Sequence, residues 1–457
     1  MSDQDTAQPG VIRDPDVTPP LRQAVPYALQ HVLAMFAGNI TPPIIIAGVI
    51  GATVEEKIFL IQVALFVAGV ATLLQSVGVW RVGARLPIVQ GTSFGFLPVV
   101  LPLAGSMGLP AVLGASFIAG LVQIVFGAFL KKIRHWFSPL VIGIVILLIG
   151  LTLMPVGLNY AAGGVGAEDF AAPHNLLIAG LVLLVTIVCH QYGRGLLSAA
   201  SVLVGLVVGY VVAALGGFVD FSSVSEAAWV AIPKPLAFGM EFSPTAIIGM
   251  VLIMLVVGLE TIGNIAGITV GGAGRAPTSR ELSGGVMADG VGTAFAALFN
   301  TLPNTAFAQN VGLVAFSGVV SRHVVTIGGI ILIALGLFPK LGGVVAAMPQ
   351  AVLGGAAVVM FGMIAGAGIK MLASVELNQR NLLIIAVSLT MGVGLPLVEG
   401  ITEAFPHDVA LLIESGLVPA AVFGIVLDAI LPGRSHEMTA QRDSGAAASA
   451  PARAEEV

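Results

Sequence analysis

Apolar stretches of roughly 20 residues recur from about residue 24 to residue 432, and they constrain this chain more than any other feature. An α-helix rises about 1.5 Å per residue, so each stretch can cross a hydrocarbon layer about 30 Å thick. Of the 457 residues, 57% are hydrophobic and only 9% are charged. A soluble protein of this length could not bury so much apolar surface. The chain is therefore predicted to be an all-α polytopic membrane protein with the lipid bilayer as its solvent.

The apolar stretches are separated by charged or Pro- and Gly-rich breaks, and they divide into two sets of seven. The first set lies near 24–44, 58–80, 86–103, 111–130, 138–158, 175–191 and 196–217. The second set lies near 244–268, 282–300, 303–320, 323–339, 345–370, 380–398 and 407–432. We therefore predict fourteen transmembrane segments.

Basic residues are distributed very unequally between the two sides of the predicted membrane. Of the 19 Lys and Arg residues, only Lys57, Lys234 and Lys340 fall on one side of a fourteen-segment arrangement. Since Lys and Arg are retained on the cytoplasmic side during insertion, the opposite side is predicted to be cytoplasmic. Both termini would then lie in the cytoplasm and the protein in the plasma or inner membrane. Residues 1–20 and 433–457 contain few large apolar groups and are predicted to be disordered.

The two sets of seven segments are predicted to form an inverted repeat, because seven is odd and the second set must start from the opposite side. Leu86-Pro87 opens the third segment and Leu302-Pro303 opens the tenth, which is the equivalent position. Transporters built from inverted repeats bind substrate near the midplane, where broken helices leave backbone groups free. The third and tenth segments are short and mix small with polar residues, so we predict that both are broken.

Few ionisable side chains lie within the predicted segments, and each is a candidate functional residue because such a group is costly at membrane depth. Glu260 immediately follows residues 247–259, a run without any charged side chain. We interpret it as a carboxylate that exchanges a proton, with a structural hydrogen bond between helices as the alternative. Asp289 serves the site or braces the broken tenth segment. For His31 two interpretations remain: a residue of the functional site, or a polar residue of the core.

Two amides and one aromatic ring are further candidates for contact with a ligand. Gln309 and Asn310 each offer a donor and an acceptor, which suits the edge of a planar heterocycle. A structural pair of amides is the alternative. Phe94 would stack on a flat ligand, although most phenylalanines in such chains only pack.

These residues resemble the nucleobase/ascorbate transporter family, also called nucleobase:cation symporter family 2, and especially its xanthine and uric acid permeases. Four separated motifs carry the resemblance, in the order of the family and over almost the whole chain. They are Gln30-His31, Glu260-Thr261-Ile262-Gly263, Ala288-Asp289-Gly290, and the signature Gln309-Asn310-Val311-Gly312 followed by Ser317. Gln at the first position of the signature is typical of purine carriers, whereas Glu is typical of uracil carriers.

The resemblance implies a role for each candidate residue. Glu260 and Gln309 would hold the purine by paired hydrogen bonds, and Phe94 would stack on it. Main-chain N–H groups near Phe307 and Ala308 would complete the site. Six residues would support the site or take part in proton coupling: Gln30, His31, Ser93, Asn264, Asp289 and Asn310.

Three positions depart from the family pattern, and the mildest change is Ser317, which replaces Thr and keeps the hydroxyl. Asn264 stands where Asp usually follows Gly, which removes one carboxylate. Val311 stands where several purine carriers have a second Asn. The choice among xanthine, uric acid and hypoxanthine therefore stays open.

The resemblance also implies an architecture and a mechanism. A core domain (21–136 and 244–342) and a gate domain (137–217 and 343–432) are joined by an outer loop (218–243). The expected activity is proton-coupled import of a purine base, xanthine or uric acid, by alternating access. A homodimer would form through gate helices, with a proton rather than sodium as the coupling ion and without cofactor, metal or nucleic acid.

Four other functions are alternatives to purine import. A uracil carrier belongs to the same family, and an anion exchanger shares the fold but would place a basic or small residue at Glu260. A membrane-embedded enzyme would need a nucleophile or a metal cluster, and the spacing of residues supports neither. A channel would not need a buried carboxylate beside paired amides.

Overall fold

The computed structural model describes residues 12–133, 138–398 and 400–432, and these ranges are mostly helical. The predicted disordered segment 433–457, and residues 1–11 of the N-terminal one, lie outside the described residues. The helices are α1 (Leu21–Val49), α2 (Val54–Val77), α3 (Leu97–Ala128), α4 (Leu130–Ile133), α5 (Pro139–Ala161), α6 (Pro173–Tyr192), α7 (Leu196–Ala199), α8 (Ser201–Leu215), α9 (Ser222–Glu226), α10 (Pro244–Ala266), α11 (Ser279–Leu298), α12 (Ala308–Ser317), α13 (Arg322–Gly336), α14 (Pro339–Ala346), α15 (Gln350–Ala373), α16 (Gln379–Leu389), α17 (Leu395–Leu397), α18 (His407–Glu414) and α19 (Leu417–Ile430). The two strands are β1 (Gln90–Thr92) and β2 (Asn304–Ala306).

Eight helices in the described ranges are long and apolar enough to cross a membrane, or ten if each of two bent pairs counts as one. The bent pairs are α13 with α14, at 78°, and α18 with α19, at 83°. Other predicted segments are short helices, such as α8 with 15 residues and α12 with 10 residues. The predicted helical membrane architecture is confirmed, apart from the two short strands, and the fourteen-segment inverted repeat stays a prediction.

The third and fourth predicted segments, 86–103 and 111–130, meet within the range given for α3, where two helices join across a kink. Inside α3 only Gly108, with φ 79° and ψ 170°, departs from helical geometry. Glycine adopts a positive φ at little cost, and Pro110 two residues later removes a helical N–H donor. Gly108 therefore separates two helices, and it lies between the two segments that the sequence predicted.

Each of the two segments predicted to be broken contains a short strand, and the two strands pair. β1 and β2 are antiparallel, with Gln90 opposite Ala306 and Thr92 opposite Asn304. β1 leads through a 3₁₀ turn into α3, and β2 leads into α12. Because the first N–H groups of a helix lack acceptors within it, the start of α12 presents donors near the paired strands. At the start of α3, the N–H of Leu97 donates to the carbonyl of Phe94, and Pro98 has no N–H.

The helices pack in two groups. One group contains α1, α2, α3, α10, α11, α12 and α13 with the two strands, and the other contains α5, α6, α8, α15, α16 and α19. Glycines allow the closest approaches. A Cβ at Gly150 of α5 would lie 2.5 Å from the backbone nitrogen of Ala365 in α15. Small residues of this kind allow membrane helices to pack backbone against backbone.

The N-terminal segment 12–20 corrects a prediction, because we expected it to be disordered. Ile12 forms a parallel bridge with Val319, and its N–H donates to the carbonyl of Gly318 at 2.8 Å. Asp16 binds the guanidinium of Arg322, with 2.6 Å between Oδ1 and Nε. Asp16 and Arg322 are 306 positions apart. Local composition therefore could not reveal what orders this segment.

The connection 218–243, predicted as an outer loop, lies against the first group of helices. The N–H of Leu236 donates to the carbonyl of Leu298 at 2.9 Å. The amide of Asn300 donates to the carbonyl of Lys234 at 2.8 Å. The connection is therefore attached to the end of α11.

Candidate functional site

A cavity of about 210 Å³ lies between the two groups of helices, beside the paired strands. Its polar wall comes from the first group and carries Thr92, Ser93, Glu260, Thr305 and Gln309. Its opposite wall comes from α5 and α15 and is apolar, with Ile146, Ile149, Met360, Met363, Ile364 and Ala367. The hydrogen-bonding side chains of the lining thus belong to one group of helices.

A proline in α1 helps to anchor β1 at the cavity. Pro43 lacks an N–H, so the carbonyl of Asn39, four residues earlier, has no donor within the helix. The hydroxyl of Thr92 donates to that carbonyl. The backbone N–H of Thr92 donates to Oδ1 of Asn39 at 2.8 Å. The hydrogen bond that Pro43 cannot donate within α1 therefore leaves the carbonyl of Asn39 free to bind β1.

Ser93 and Phe94 follow β1 and line the cavity, as predicted for residues of the third segment. Oγ of Ser93 accepts the N–H of Gly95 at 3.1 Å, which begins the 3₁₀ turn. The ring of Phe94 packs edge-on against Phe361 of α15, with ring centroids 5.3 Å apart and an interplanar angle of 86°. Phe361 thus holds the Phe94 ring in place at the cavity surface.

The start of α12 opens into the cavity. Ala308 and Gln309 are exposed and line it. As the first two residues of α12, they have backbone N–H groups without acceptors in the helix. No hydrogen bond joins the Gln309 side chain to another residue in the described ranges. Both the amide of Gln309 and the helix start can therefore bind a ligand.

Phe307 corrects one detail of the expected site. Its N–H donates to the carbonyl of Val89 at 3.0 Å and is not available to a ligand. The strand pairing continues one residue past Ala306, which the sequence did not indicate. The Phe307 ring lines the cavity and packs where two glycines leave room. A Cβ at Gly38 would lie 2.7 Å from this ring, and one at Gly91 2.8 Å from it.

Glu260 lies on α10 and is partly exposed at the polar wall of the cavity. Within the described ranges, no hydrogen bond joins its carboxylate to another residue. One helical turn later, Nδ2 of Asn264 donates to the carbonyl of Ala306 at 3.0 Å. An ionised Asp would have no donor for this bond. Asn264, which departs from the family pattern, thus attaches β2 to α10 from outside the cavity.

Asp289 is buried, with 1% exposure, and it does not line the cavity. Its carboxylate accepts hydrogen bonds from the side chains of Gln75, Gln90 and Thr261. The hydroxyl of Thr261 lies 3.2 Å from that of Thr305 in β2. Helices α2 and α10 and both strands meet in this network. Of the two roles considered for Asp289, the geometry favours bracing, here of both broken segments.

His31 and Asn310 pair behind the cavity and attach α12 to α1. Nδ2 of Asn310 lies 2.9 Å from the carbonyl oxygen of His31 and 3.0 Å from its Nδ1. If the amide donates to Nδ1, the imidazole proton is on Nε2. Gln30, the neighbour of His31, is partly exposed, and it does not line the cavity either.

Sequence reasoning missed Gln75, Asn39 and the apolar wall. The sequence could have indicated Gln75, because an amide side chain within an apolar segment needs a hydrogen-bond partner. Ile146 and Met363 had none, since an apolar side chain in a membrane helix looks the same whether it faces lipid or ligand. In the described ranges, no group of three or more His, Cys, Asp or Glu side chains could hold a metal ion.

Comparison with known proteins gives matches over most of the chain. A family model described as "Permease family" (Xan_ur_permease) matches residues 22–401. The chain is 38% identical over 425 residues to the uric acid permease PucJ of Bacillus subtilis (strain 168), covering 91% of this chain and 94% of that protein. It is 35% identical over 432 residues to the xanthine permease XanP of Escherichia coli (strain K12), covering 91% and 93%.

A solved structure supports the fold. The transmembrane domain of a cyanobacterium bicarbonate transporter, BicA, aligns with a TM-score of 0.56 and 16% identity, over 90% of this chain and 98% of that domain. At this identity the likeness concerns the fold alone.

Proposed function

The chain belongs to the permease family whose model matches residues 22–401, and on this premise we propose that it imports a purine base, xanthine or uric acid. It is a multi-pass membrane transporter and not an enzyme. The names of the uric acid and xanthine permeases to which it is similar support a purine. The structural observation that carries the proposal is that Glu260 and Gln309, both without a described partner, line one cavity.

The proposed binding mode follows from the two walls of the cavity. The amide of Gln309 donates and accepts, which matches adjacent C=O and N–H groups on the edge of a purine. Glu260 accepts a second N–H of the base, and the free N–H of Ala308 donates to a carbonyl. Phe94 contacts one face of the ring, and the apolar wall from α5 and α15 covers the rest.

Coupling and movement form a further part of the proposal. Glu260 takes a proton from outside, binds the base together with Gln309, and releases both inside. The first group of helices, which carries the polar wall, moves as the core against the second group, which acts as the gate. Gate helices form the contact of a homodimer. The confinement of polar lining groups to one helix group supports this assignment, because the substrate can then stay with the core.

An anion exchanger with the same fold is less compatible with the cavity. A carboxylate, Glu260, faces it, and none of its described lining residues carries a positive charge. An anion would therefore have no cationic partner among these residues, and the ionised form of Glu260 would repel it. A uracil carrier is distinguished by competition with unlabelled uracil.

Uptake of labelled xanthine, uric acid and uracil tests the proposal. We expect Glu260→Gln and Gln309→Ala each to reduce purine uptake at least tenfold at equal transporter levels. Exposed Glu376 and Gln379 provide matched controls, as Glu376→Gln and Gln379→Ala. Undiminished purine uptake by both site variants would overturn the assignment.

A protonophore tests the coupling ion. We expect it to abolish purine accumulation, and we expect replacement of external sodium to leave accumulation unchanged. Accumulation that follows the sodium gradient would contradict proton coupling.

A further inference from the structure

The helix that carries Gln309 has 10 residues, and its far end is held by the N-terminal segment. α12 ends at Ser317, and Gly318 follows with φ 65°. The N–H of Gly318 donates back to Val314 at 3.0 Å, and its carbonyl accepts the N–H of Ile12 at 2.8 Å. The N–H of Val320 donates to the carbonyl of Ile12 at 2.7 Å. Ile12 thus makes two backbone hydrogen bonds immediately after α12.

Polar contacts extend this attachment towards α13 and α2. Arg322 binds the carboxylate of Asp16 through Nε, and its backbone N–H donates to the carbonyl of Pro15 at 3.0 Å. Its Nη1 donates to the carbonyl of Ser76 near the end of α2 at 3.2 Å. The hydroxyl of Ser321 donates to the carbonyl of Val17 at 2.7 Å. One guanidinium therefore joins the N-terminal segment to two helices.

An apolar cluster underlies the same contact. Ile12 packs against a buried cluster that is formed by Val319, Val324 and, from α1, Ala24 and Ala28. Helices α1, α2, α12 and α13 all belong to the group that carries the polar wall. Each of the hydrogen bonds described above therefore joins the N-terminal segment to this group of helices or to the residues that connect them.

We propose that residues 12–17 form a clasp that positions α12, so that Ile12, Asp16 and Arg322 are positioning residues for substrate binding at Gln309. The proposal rests on the proposed function. The Asn310–His31 pair holds α12 near its start, so an unfastened far end would swing about that point and turn Gln309 away from the base. Because all its partners lie in one group of helices, the clasp stays closed through the transport cycle.

A backbone substitution tests the positioning role. Ile12→Pro removes the N–H that binds Gly318 but keeps an apolar side chain, whereas Ile12→Val keeps both. We expect Ile12→Pro to raise the KM for purine uptake about three- to tenfold, with Vmax per transporter unchanged. Ile12→Val should match the unsubstituted protein. An unchanged KM in Ile12→Pro would overturn the proposal.

A disulfide tests whether the clasp stays closed. Bridge partners on adjacent strands have Cα atoms about 5 Å apart, within the range that a disulfide spans. Ile12→Cys with Val319→Cys, in a Cys189→Ser background, should cross-link on oxidation and keep KM and Vmax within twofold. Ile12→Cys alone is the control. Failure to cross-link, or a cross-link that blocks uptake until it is reduced, would overturn the proposal.

The two proposals fail in different ways. If the unsubstituted protein takes up no purine, the proposed function is wrong, yet formation of the 12–319 disulfide still reports the clasp. If purine uptake is normal and the disulfide does not form, the clasp alone is wrong.

Discussion

Glu260 and Gln309 differ from the polar residues around them because neither side chain hydrogen-bonds another described residue. Asp289, Asn264 and Asn310 instead join neighbouring elements. Gln309 is exposed and Glu260 is partly exposed at the cavity, so both can bind a ligand, whereas the other three side chains hold neighbouring elements together. Substitutions at the two kinds of position should therefore affect different quantities: substrate affinity in the first case and stability in the second.

Gln309→Glu should weaken purine binding and leave stability nearly unchanged. An ionised carboxylate accepts hydrogen bonds but donates none, so it leaves a carbonyl of the base unpaired. We expect the KM for xanthine to rise about 10- to 100-fold, since a lost hydrogen bond to a buried polar group costs about 1–3 kcal/mol. Gln379→Glu is the control for the added charge. A KM within twofold of the original would show that Gln309 does not contact the base.

Asp289→Asn should lower stability. The carboxylate accepts from three donors, and an amide in its place would bring its own N–H₂ group against at least one of them. The expected loss in the free energy of unfolding is about 1–3 kcal/mol. Thermal unfolding of the purified transporter in detergent measures it, with Glu376→Gln as the control. An unchanged unfolding temperature would contradict the bracing role.

At the scale of elements, the sequence predicted the two broken segments because Leu-Pro pairs and polar residues occupy equivalent places. It did not predict that strands in these segments pair, since β1 and β2 come from different halves of the chain. The free N–H of Ala308 follows from its place in a helix, whereas the occupied N–H of Phe307 depends on Val89. The local sequence pattern indicates where a helix or strand lies. Residues distant in the chain determine which of its backbone N–H groups remain free to bind a ligand.

Thr92→Val should weaken the attachment of β1 to α1, because only the backbone N–H of residue 92 would still bind Asn39. Pro43 leaves the carbonyl of Asn39 without a helical donor, so loss of the Thr92 hydroxyl leaves a buried acceptor unpaired. Valine has nearly the same shape, so we expect destabilisation of about 1–3 kcal/mol from the lost bond. Thr92→Ser keeps the hydroxyl and should retain most of the stability. Equal unfolding temperatures for the two variants would argue against this attachment.

At the scale of the whole molecule, basic residues contact opposite ends of the helices. Lys57, near the start of α2, donates to the carbonyl of Ala346 at 2.9 Å. Arg322 donates to the carbonyl of Ser76, near the end of α2. Lys57 and Arg322 thus lie at opposite ends of α2, and the fourteen-segment arrangement also assigns them to opposite sides of the membrane. Which end faces the cytoplasm stays a prediction of the positive-inside rule.

Cysteine labelling tests the predicted sidedness. Val165 and Leu377 are 81% and 52% exposed and are predicted to lie on the outer and inner sides. In a Cys189→Ser background, a membrane-impermeant maleimide should label Val165→Cys in intact cells. It should label Leu377→Cys only after permeabilisation. Labelling of both in intact cells would contradict the fourteen-segment arrangement.

The apolar wall from α5 and α15 has a kinetic consequence for the proposed movement. Hydrogen bonds are directional and would have to break before the core could slide, which adds an activation barrier. Dispersion contacts are individually worth only about 0.1–0.2 kcal/mol and can be exchanged gradually. A wall of Ile, Met and Ala side chains would therefore add little to the activation barrier of the proposed movement. In the proposed cycle, the groups that select the substrate would move with the core, and the apolar wall of the gate would determine how fast the core moves.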